Sequence, residues 1–379
     1  MQDLIQYVPI VVIVVFFFAL AIQLFYYSFF YTRLAFHKHK SSENEREPLS
    51  VIICAKNEAE HLQQFLPLVL EQDYPEFEVV VVNDCSSDDT EMVLAQLKMK
   101  YEKLRYTNIV EDSKFKHNKK LAVTVGVKAA KYEHIVLTDA DCYPTSRDWL
   151  LGIQQSFGWT KEIVVGYGGY EERKGFLNKI IRYDSLNVAL NFIGFAKAGV
   201  PYMGVGRNLA YKKSTFFRNK GFATNYELAS GDDDLFVNET ASKHNVAVTL
   251  NDKNIIRSVP KETFRDYFLQ KRRHITTAKR YLYKHQVLLG LELVSRLLLY
   301  VSFAAAMFVL SQPLVWYLLA AFSLRLIVQL TIVKLSMIKL NEKNLLLYSP
   351  IFDLCMPIIL FMVYISNLLD VYRRKNRWK

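Results

Sequence analysis

The segment "HIVLTDADC" (residues 134–142) is a short apolar run that ends in two aspartates. Its length and its branched apolar residues are typical of a buried strand. Three similar runs precede it in the chain: "LSVIICA" (49–55), "FEVVVVND" (77–84) and "LRYTNIV" (104–110). Helical patterns separate these runs, at 59–71, 89–101 and 119–130. Strands that alternate with helices predict an α/β domain with a mostly parallel sheet covered on both faces.

Polar residues follow these strands at the carboxyl ends, where open α/β sheets bind their ligands. Asp139 and Asp141 are two residues apart, and such residues face the same side of a strand. Mg²⁺ in proteins takes one or two carboxylates and lets phosphate oxygens fill other positions. The pair therefore predicts a metal site that serves a nucleotide diphosphate. Further candidates at these ends are Asn57, Glu58, Asn83, Asp84 and, as a counter-charge, Lys119.

Residues 10–31 contain no charged side chain and are long enough to cross a bilayer as a helix. The stretch lacks the basic start and the small-residue cleavage site of a signal peptide, so we expect a retained membrane helix. Only Asp3 precedes it, whereas Arg33, Lys38 and Lys40 follow it. The positive-inside rule then predicts an outside N-terminus and a cytoplasmic domain, in the cell inner (plasma) membrane.

Three more apolar segments follow residue 285, at 287–310, 313–333 and 345–369. Three crossings would place the basic tail 370–379 outside, against the positive-inside tendency. The last segment is therefore either re-entrant or a full crossing, and we favour three crossings.

Four ionisable residues lie in or near these segments, where charge is costly and is usually paired or functional. Glu292 and Arg296 are four residues apart and so share one helix face. Arg325 and Asp353 are expected to pair across helices.

The net charge of +11 makes nucleic acid a partner to consider, but no nucleic-acid-binding signature occurs. Many basic residues flank the apolar segments, which favours contact with anionic lipid headgroups. The four cysteines lack metal-site spacing, and we expect reduced thiols.

Six short motifs occur in a fixed order between about residues 49 and 280. They are "VIICAKNEAEHL" (51–62), "VVNDCSSDDT" (81–90), "NKKLAV" (118–123), "TDADC" (138–142), "GVGRNLAYKKSTF" (204–216) and "SGDDDLF" (230–236). Together they resemble the family-2 inverting nucleotide-sugar glycosyltransferases, which have the GT-A (Rossmann-like) fold. "QKRRH" (270–274) resembles the "QxxRW" segment of membrane-integrated members. The departures from the family motifs are Asn83, Cys85, Asn118, Asp232 and His274.

The resemblance implies a role for each matching residue. On the donor side, Glu58 and Asp84 would contact uridine, Asp141 would ligate Mg²⁺ or Mn²⁺, and the remaining donor contacts would be Lys119, Asp139, Gln270 and Arg273. Asp233 would be the catalytic base. The acceptor side would include Arg207, Asn208, Asp232 and His274.

The neighbours of these residues carry expectations of their own. Asp232 and Asp234 would raise the pKa of Asp233 by charge repulsion. We expect Asp234 to be a solvated surface residue. For Lys120, a solvated surface position remains an open alternative. Leu235 and Phe236 are expected to anchor a helix in the core. Segment 176–196 is open between a position at the membrane interface and core packing.

These observations predict a membrane-bound enzyme that moves a hexose or N-acetylhexosamine from a UDP-sugar to a membrane lipid or lipid-linked acceptor. The layout resembles enzymes of the ceramide glucosyltransferase type. The alternatives are a processive polysaccharide synthase, a membrane-anchored nucleotidyltransferase and a non-catalytic scaffold. The predicted units are a transmembrane helix (1–32), a linker (33–48), the GT-A domain (49–256), a basic interfacial segment (257–285), about three transmembrane or re-entrant helices (286–369) and a basic tail (370–379).

Overall fold

The structure, a computed structural model, describes residues 7–37, 46–110, 118–228 and 230–376, with side chains up to residue 369. The predicted linker and basic tail lie partly outside these residues.

A seven-stranded sheet forms the centre of the α/β domain. In spatial order its strands are β3 (Leu104–Ile109), β2 (Phe77–Asp84), β1 (Leu49–Ala55), β4 (His134–Asp139), β8 (Leu209–Lys212), β6 (Ile163–Gly166) and β9 (Val246–Thr249). The first four are parallel, whereas β8 is antiparallel to both of its neighbours. A small second sheet has the order β5 (Cys142–Pro144), β10 (Ile256–Ser258) and β7 (Gly168–Tyr170). The predicted α/β class with a mostly parallel sheet is confirmed.

Helices cover both faces of this sheet, as the apolar strands require. Those of the domain are α2 (Ala59–Leu70), α3 (Thr90–Lys100), α4 (Lys119–Ala129), α5 (Trp149–Gln154), α6 (Phe176–Lys197), α7 (Lys213–Arg218), α8 (Asp234–Thr240) and α9 (Phe264–Ala278). Val51 and Ile53 of β1 pack into the core on one face, and Ile52 packs into the core on the other. Adjacent strand residues point to opposite faces, so both sides of β1 are buried.

Within the part of the chain that the structure describes, four helices are long and apolar enough to cross a membrane. They are α1 (Val8–Ala35), α10 (Tyr283–Val309), α11 (Gln312–Lys339) and α12 (Ser349–Asn376). The apolar span that contains most of α12 is Leu346–Leu369. Both ion pairs expected from the sequence form. Glu292 pairs with Arg296, and Arg325 lies 2.7 Å from Asp353. Asp353 also lies 3.2 Å from Arg296, so one buried charge network links α10, α11 and α12.

A buried carboxylate in the turn between α11 and α12 binds this turn to the α/β domain. Glu342 accepts hydrogen bonds from Arg182 of α6 (2.8 Å), from Tyr167 (3.0 Å) and from Arg257 of β10. Arg257 also donates to the carbonyl oxygen of Asn341 at 2.6 Å. We name these residues (Tyr167, Arg182, Arg257 and Glu342) the Glu342 clamp.

α6 resolves the ambiguity of segment 176–196 in favour of core packing. Leu186, Ala189 and Ile193 are fully buried beneath the sheet. Asn191 accepts a hydrogen bond from Tyr31 of α1 at 3.0 Å. The helix therefore lies between the sheet and the apolar helices.

Candidate active site

A cavity of about 530 Å³ opens at the carboxyl ends of β1, β2 and β4. This is the edge at which the sequence predicts the ligand site. Of the predicted site residues, eleven line the cavity: Glu58, Asp84, Lys119, Asp139, Asp141, Arg207, Asp232, Asp233, Gln270, Arg273 and His274. Asn208 lies apart from them. It is buried, and its amide accepts from Trp149 Nε1 (3.1 Å) and donates to the carbonyl oxygen of Tyr167 (2.9 Å). Its position fits a structural role rather than the predicted acceptor-side role.

The two aspartates after β4 have different partners. Asp139 accepts a hydrogen bond from Lys119 Nζ at 2.7 Å, and Asp141 accepts one from the thiol of Cys142 at 3.2 Å. The possible ligand atoms of Asp139, Asp141 and Cys142 lie within 4.8 Å of one another. Burial raises the pKa of the Cys142 thiol, so it stays protonated and is a poor ligand. The remaining donors are two carboxylates, which suit a hard cation such as Mg²⁺ or Mn²⁺.

Lys119 connects the metal side of the cavity with the acidic motif at 230–236. Its Nζ lies 2.7 Å from Asp139 and 3.1 Å from Asp232. Burial alone would lower the pKa of Lys119, but Asp139, Asp232 and Asp233 outweigh it and hold that pKa well above its usual value. Lys119 is therefore a permanent positive charge at the centre of the site.

Asp233 is the N-cap residue just before α8 and faces the cavity. Its Oδ2 accepts a hydrogen bond from the backbone N–H of Gly206 at 2.7 Å, and its Oδ1 accepts from the N–H of Asp234 at 2.8 Å. Burial, followed by repulsion from Asp232 and Asp234, raises the pKa of Asp233 to about 7. The direction expected from the sequence is correct, although burial is the larger cause. A carboxyl group of this pKa is suited to accept a proton near neutral pH.

The expectation that Asp234 is a solvated surface residue is wrong. Its carboxylate is buried and accepts hydrogen bonds from Thr277 and from the Tyr281 hydroxyl (2.7 Å). Asp234 thus joins α8 to the end of α9. Lys120 is also buried rather than solvated, and its Nζ donates to the carbonyl oxygen of Asn225. Leu235 and Phe236 are buried as expected.

Three residues that depart from the family motifs, or stand beside them, have local explanations. Cys85 has a φ of +54° and Asn57 a φ of +57°, which are both in the left-handed region. The family motif has glycine at the position of Cys85, and glycine adopts this region without strain. Asn57 is a residue type that tolerates this region, and its Oδ1 accepts from the N–H of Ser87 at 2.8 Å. Asn118 caps α4 by accepting from the N–H of Leu121 at 3.1 Å. The contact between Asn57 and Ser87 joins the turn after β1 to the turn after β2.

The wall opposite the sheet comes from α9. Gln270 donates to the Tyr170 hydroxyl at 3.3 Å, and the cationic Arg207 lies over the Tyr170 ring at 4.3 Å. Desolvation in the site, followed by the charges of Lys271 and Arg273, lowers the pKa of His274. The ring of His274 is therefore neutral at pH 7 and adds a flat, uncharged surface where the family motif has Trp.

The wall of the cavity that α6 forms was not predicted from the sequence. Asp184, Ser185, Val188 and Phe192 line it from a single face of α6, with Met203 beside them. Asp184 pairs with Lys271 and accepts from the Tyr267 hydroxyl at 3.1 Å, which fastens α6 to α9. The helical spacing of these residues was visible in the sequence, but it does not tell a cavity wall from a core face.

Comparisons with known proteins cover the part of the chain that carries the strand-end residues of this cavity. Residues 50–217 match the family model described as glycosyl transferase family 2. A stretch of 102 residues, 27% of this chain, is 33% identical to a poly-beta-1,6-N-acetyl-D-glucosamine synthase of Staphylococcus epidermidis and covers 24% of that protein. A stretch of 121 residues, 31% of this chain, is 31% identical to glycosyltransferase AglE of Haloferax volcanii and covers 38% of that protein. The matches thus span between about a quarter and two fifths of these relatives.

A solved structure resembles nearly the whole chain. The mannosyltransferase PcManGT from Pyrobaculum calidifontis, in complex with GDP-Man and Mn²⁺, superimposes with a TM-score of 0.61. The match covers 97% of this chain and 99% of that one at 21% identity, and at this identity it shows a shared fold. Residues 50–217 therefore resemble a family 2 glycosyltransferase domain, and the fold that contains them is GT-A-like and shared with this mannosyltransferase.

Proposed function

We propose that this chain is a membrane-bound inverting glycosyltransferase that moves a hexose or N-acetylhexosamine from a UDP-sugar to a membrane lipid or lipid-linked acceptor. One observation carries the proposal. A carboxyl group with a pKa of about 7, Asp233, faces the same cavity as the Asp139 and Asp141 pair. A base and a metal site that can hold a diphosphate, both in one cavity, are what a displacement at a sugar carbon requires.

The chemistry follows from these positions. The carboxylate of Asp233 takes the proton of the acceptor hydroxyl while that oxygen forms a bond to the anomeric carbon. The bond from the anomeric carbon to the diphosphate oxygen breaks, and the nucleoside diphosphate leaves from the opposite face. One displacement inverts the configuration. Lys119 and Arg273 supply positive charge to the cavity in which the diphosphate gains negative charge.

Asp141, with Asp139 beside it, would hold a divalent cation. The cation would neutralise the charge of the diphosphate. Mg²⁺ and Mn²⁺ both suit two carboxylates, and we propose either as the cofactor. Mn²⁺ accompanies GDP-Man in the similar mannosyltransferase.

The apolar end of the cavity supports a lipid acceptor. Val188, Phe192 and Met203 present carbon surface to the same cavity as Asp233. α6, which carries two of them, packs on α1 through Asn191 and on α10 through Asn187. An acceptor that binds along this wall has an apolar part near its attacking hydroxyl and reaches the site from the side of the apolar helices.

We place the protein in the cell inner (plasma) membrane, with the catalytic domain cytoplasmic and the N-terminus outside. The four apolar helices and the basic residues that follow α1 support this orientation. UDP-sugars are the donors that the sequence motifs imply, and we place the uridine against Glu58 and Asp84.

A processive polysaccharide synthase is the second candidate. The Staphylococcus epidermidis relative bears that activity in its name. The two candidates differ in their products. A single transfer gives a membrane lipid with one added sugar, whereas a processive synthase gives a ladder of longer products. The nucleotidyltransferase and scaffold alternatives have no observation in their favour.

The proposal is tested with the purified full chain in lipid nanodiscs. UDP-glucose, UDP-N-acetylglucosamine and GDP-mannose are each incubated with Mn²⁺ and a total lipid extract, and products are identified by mass. A lipid carrying one sugar from a UDP donor supports the proposal, whereas a product only from GDP-mannose contradicts the donor. The Asp233→Asn variant should bind UDP as the wild type does and form no product; full activity in it would refute the assignment of the base.

The acceptor wall has its own test. Val188→Trp fills the apolar end of the cavity. We therefore expect the KM for the lipid acceptor to rise at least about tenfold, while UDP binding is unchanged. Val294→Trp makes the same change on the exposed face of α10 and should leave both values unaltered. An unchanged KM in a folded Val188→Trp variant would place the acceptor elsewhere.

A further inference from the structure

α12 differs from the other apolar helices in what it packs against. The halves of α1, α10 and α11 that are remote from the sheet share one apolar cluster, which includes Phe16, Leu299 and Leu318. Among the described residues, α12 contributes no side chain to that cluster. Its buried residues Phe352 and Met356 belong instead to the cluster that continues into the catalytic domain.

The first turns of α12 contact α6 of the catalytic domain. The Tyr348 hydroxyl, just before the helix, accepts a hydrogen bond from Lys179 Nζ at 2.7 Å. The Phe352 ring lies 5.3 Å from that of Tyr183. The beginning of α12 is therefore on the domain side of the apolar helices.

The far part of α12 also contacts the catalytic domain. Asn367 and Arg272 of α9 form two hydrogen bonds, of 3.2 and 3.1 Å, through their side chains and the Arg272 carbonyl. Lys279 lies over the Tyr364 ring at 5.3 Å. α9 carries many charges and lines the cavity through Gln270, so it does not lie in hydrocarbon.

These contacts fix the direction of α12. Residues 352 and 367 are about 22 Å apart along a helix. A helix crossing a hydrocarbon core of about 30 Å would carry residue 367 most of the way to the other side. Both residues instead meet the catalytic domain. The opposite face of α12 is an exposed apolar stripe at spacings of three and four residues, formed by Ile351, Leu354, Ile358, Phe361, Ile365 and Leu368.

We propose that α12 lies along the bilayer surface on the catalytic side and does not cross the membrane. Its apolar stripe faces the acyl chains, and the exposed cations Arg265, Lys279 and Lys284 face anionic phosphate headgroups. α1, α10 and α11 are then the crossing helices, and two crossings follow residue 285 instead of the three favoured from the sequence. The end of the chain lies on the catalytic side, where the positive-inside rule favours its basic residues.

The side on which the chain ends is measured by cysteine labelling in sealed vesicles. A cysteine is added after Lys379, and Trp159→Cys and Ser311→Cys serve as references. Trp159 is fully exposed on the catalytic domain, and Ser311 lies in the turn between α10 and α11. A membrane-impermeant maleimide is applied, and the labelling of the wild type is subtracted. We expect the added cysteine to react in the same vesicles as Trp159→Cys; reaction together with Ser311→Cys would overturn the proposal.

The depth of the helix is an independent readout that does not depend on enzyme activity. Spin labels at Ile358→Cys in α12 and Val301→Cys in α10 compare two exposed apolar positions. The oxygen and nickel-chelate collision rates should place residue 358 near the headgroups and residue 301 deep in the bilayer. Equal depth for both positions would refute the proposal.

Discussion

The pKa of Asp233 gives the sharpest prediction, because it sets a pH at which activity fails. If Asp233 is the base, kcat/KM follows the fraction of molecules in which its carboxyl is ionised. With a pKa of about 7, activity at pH 6 falls to about one eleventh of its plateau, and at pH 5 to about one hundredth. A carboxyl of ordinary pKa would remain almost fully ionised at both values.

The same reasoning predicts the effect of removing one neighbouring charge. Asp232→Asn keeps the shape of the side chain and removes a repulsion that raises the pKa of Asp233. We expect the acidic limb to move down by about one pH unit. Activity at pH 6, relative to the plateau, then rises from about one eleventh to about one half. Burial is the larger cause and is unchanged, so the limb does not return to the ordinary carboxyl range.

Initial rates below saturation, from pH 5 to pH 9 at constant ionic strength, measure this effect. Each variant is normalised to its own plateau, which separates the shift from any loss of binding. Asp252→Asn removes an exposed acid outside the cavity and should leave the limb in place. An acidic limb below pH 5 in the wild-type profile of kcat/KM, or an acidic limb at the same pH in Asp232→Asn as in the wild type, would refute the reasoning.

Three further predictions concern metal binding and stability. Asp141→Ala should lower the Mn²⁺-dependent affinity for UDP at least about tenfold by calorimetry, and Asp148→Ala, a change to an acid outside the cavity, should not. Glu342→Gln leaves the buried Arg257 without its carboxylate and leaves Arg182 with Glu172 alone; it should cost about 3–5 kcal/mol of stability, and thermal unfolding in detergent unchanged from the wild type would contradict this. Asn118→Ala should cost about 1 kcal/mol through loss of the α4 cap, and Asn118→Gly a few tenths, measured by denaturant unfolding.

The strands and the polar residues that line the cavity at their carboxyl ends could be predicted because their determinants are local. An apolar run that ends in Asp139 and Asp141 specifies both a buried strand and the polar group at its end. The same holds for Asp84 at the end of β2. Parallel pairing then brings such ends together without further information.

What could not be predicted depends on partners far away in the chain. Asp234 looks solvated beside two other acids, but Thr277 and Tyr281 bury and satisfy it from more than forty residues away. Lys120 likewise donates a hydrogen bond to the carbonyl oxygen of Asn225, a residue distant in the sequence. The apolar cavity wall on α6 has the periodicity of any buried helix. Only tertiary packing distinguishes these cases.

The Glu342 clamp has a mechanical consequence. It fastens the turn between two apolar helices to α6, which is also a wall of the cavity. Tilting the catalytic domain away from the helices would separate a buried carboxylate from two arginines, at a cost of several kcal/mol. We therefore expect the domain and the helices to move as one rigid body, which would keep the height of Asp233 above a bilayer constant. We expect this fixed height to select acceptors by the distance between their hydroxyl group and the membrane.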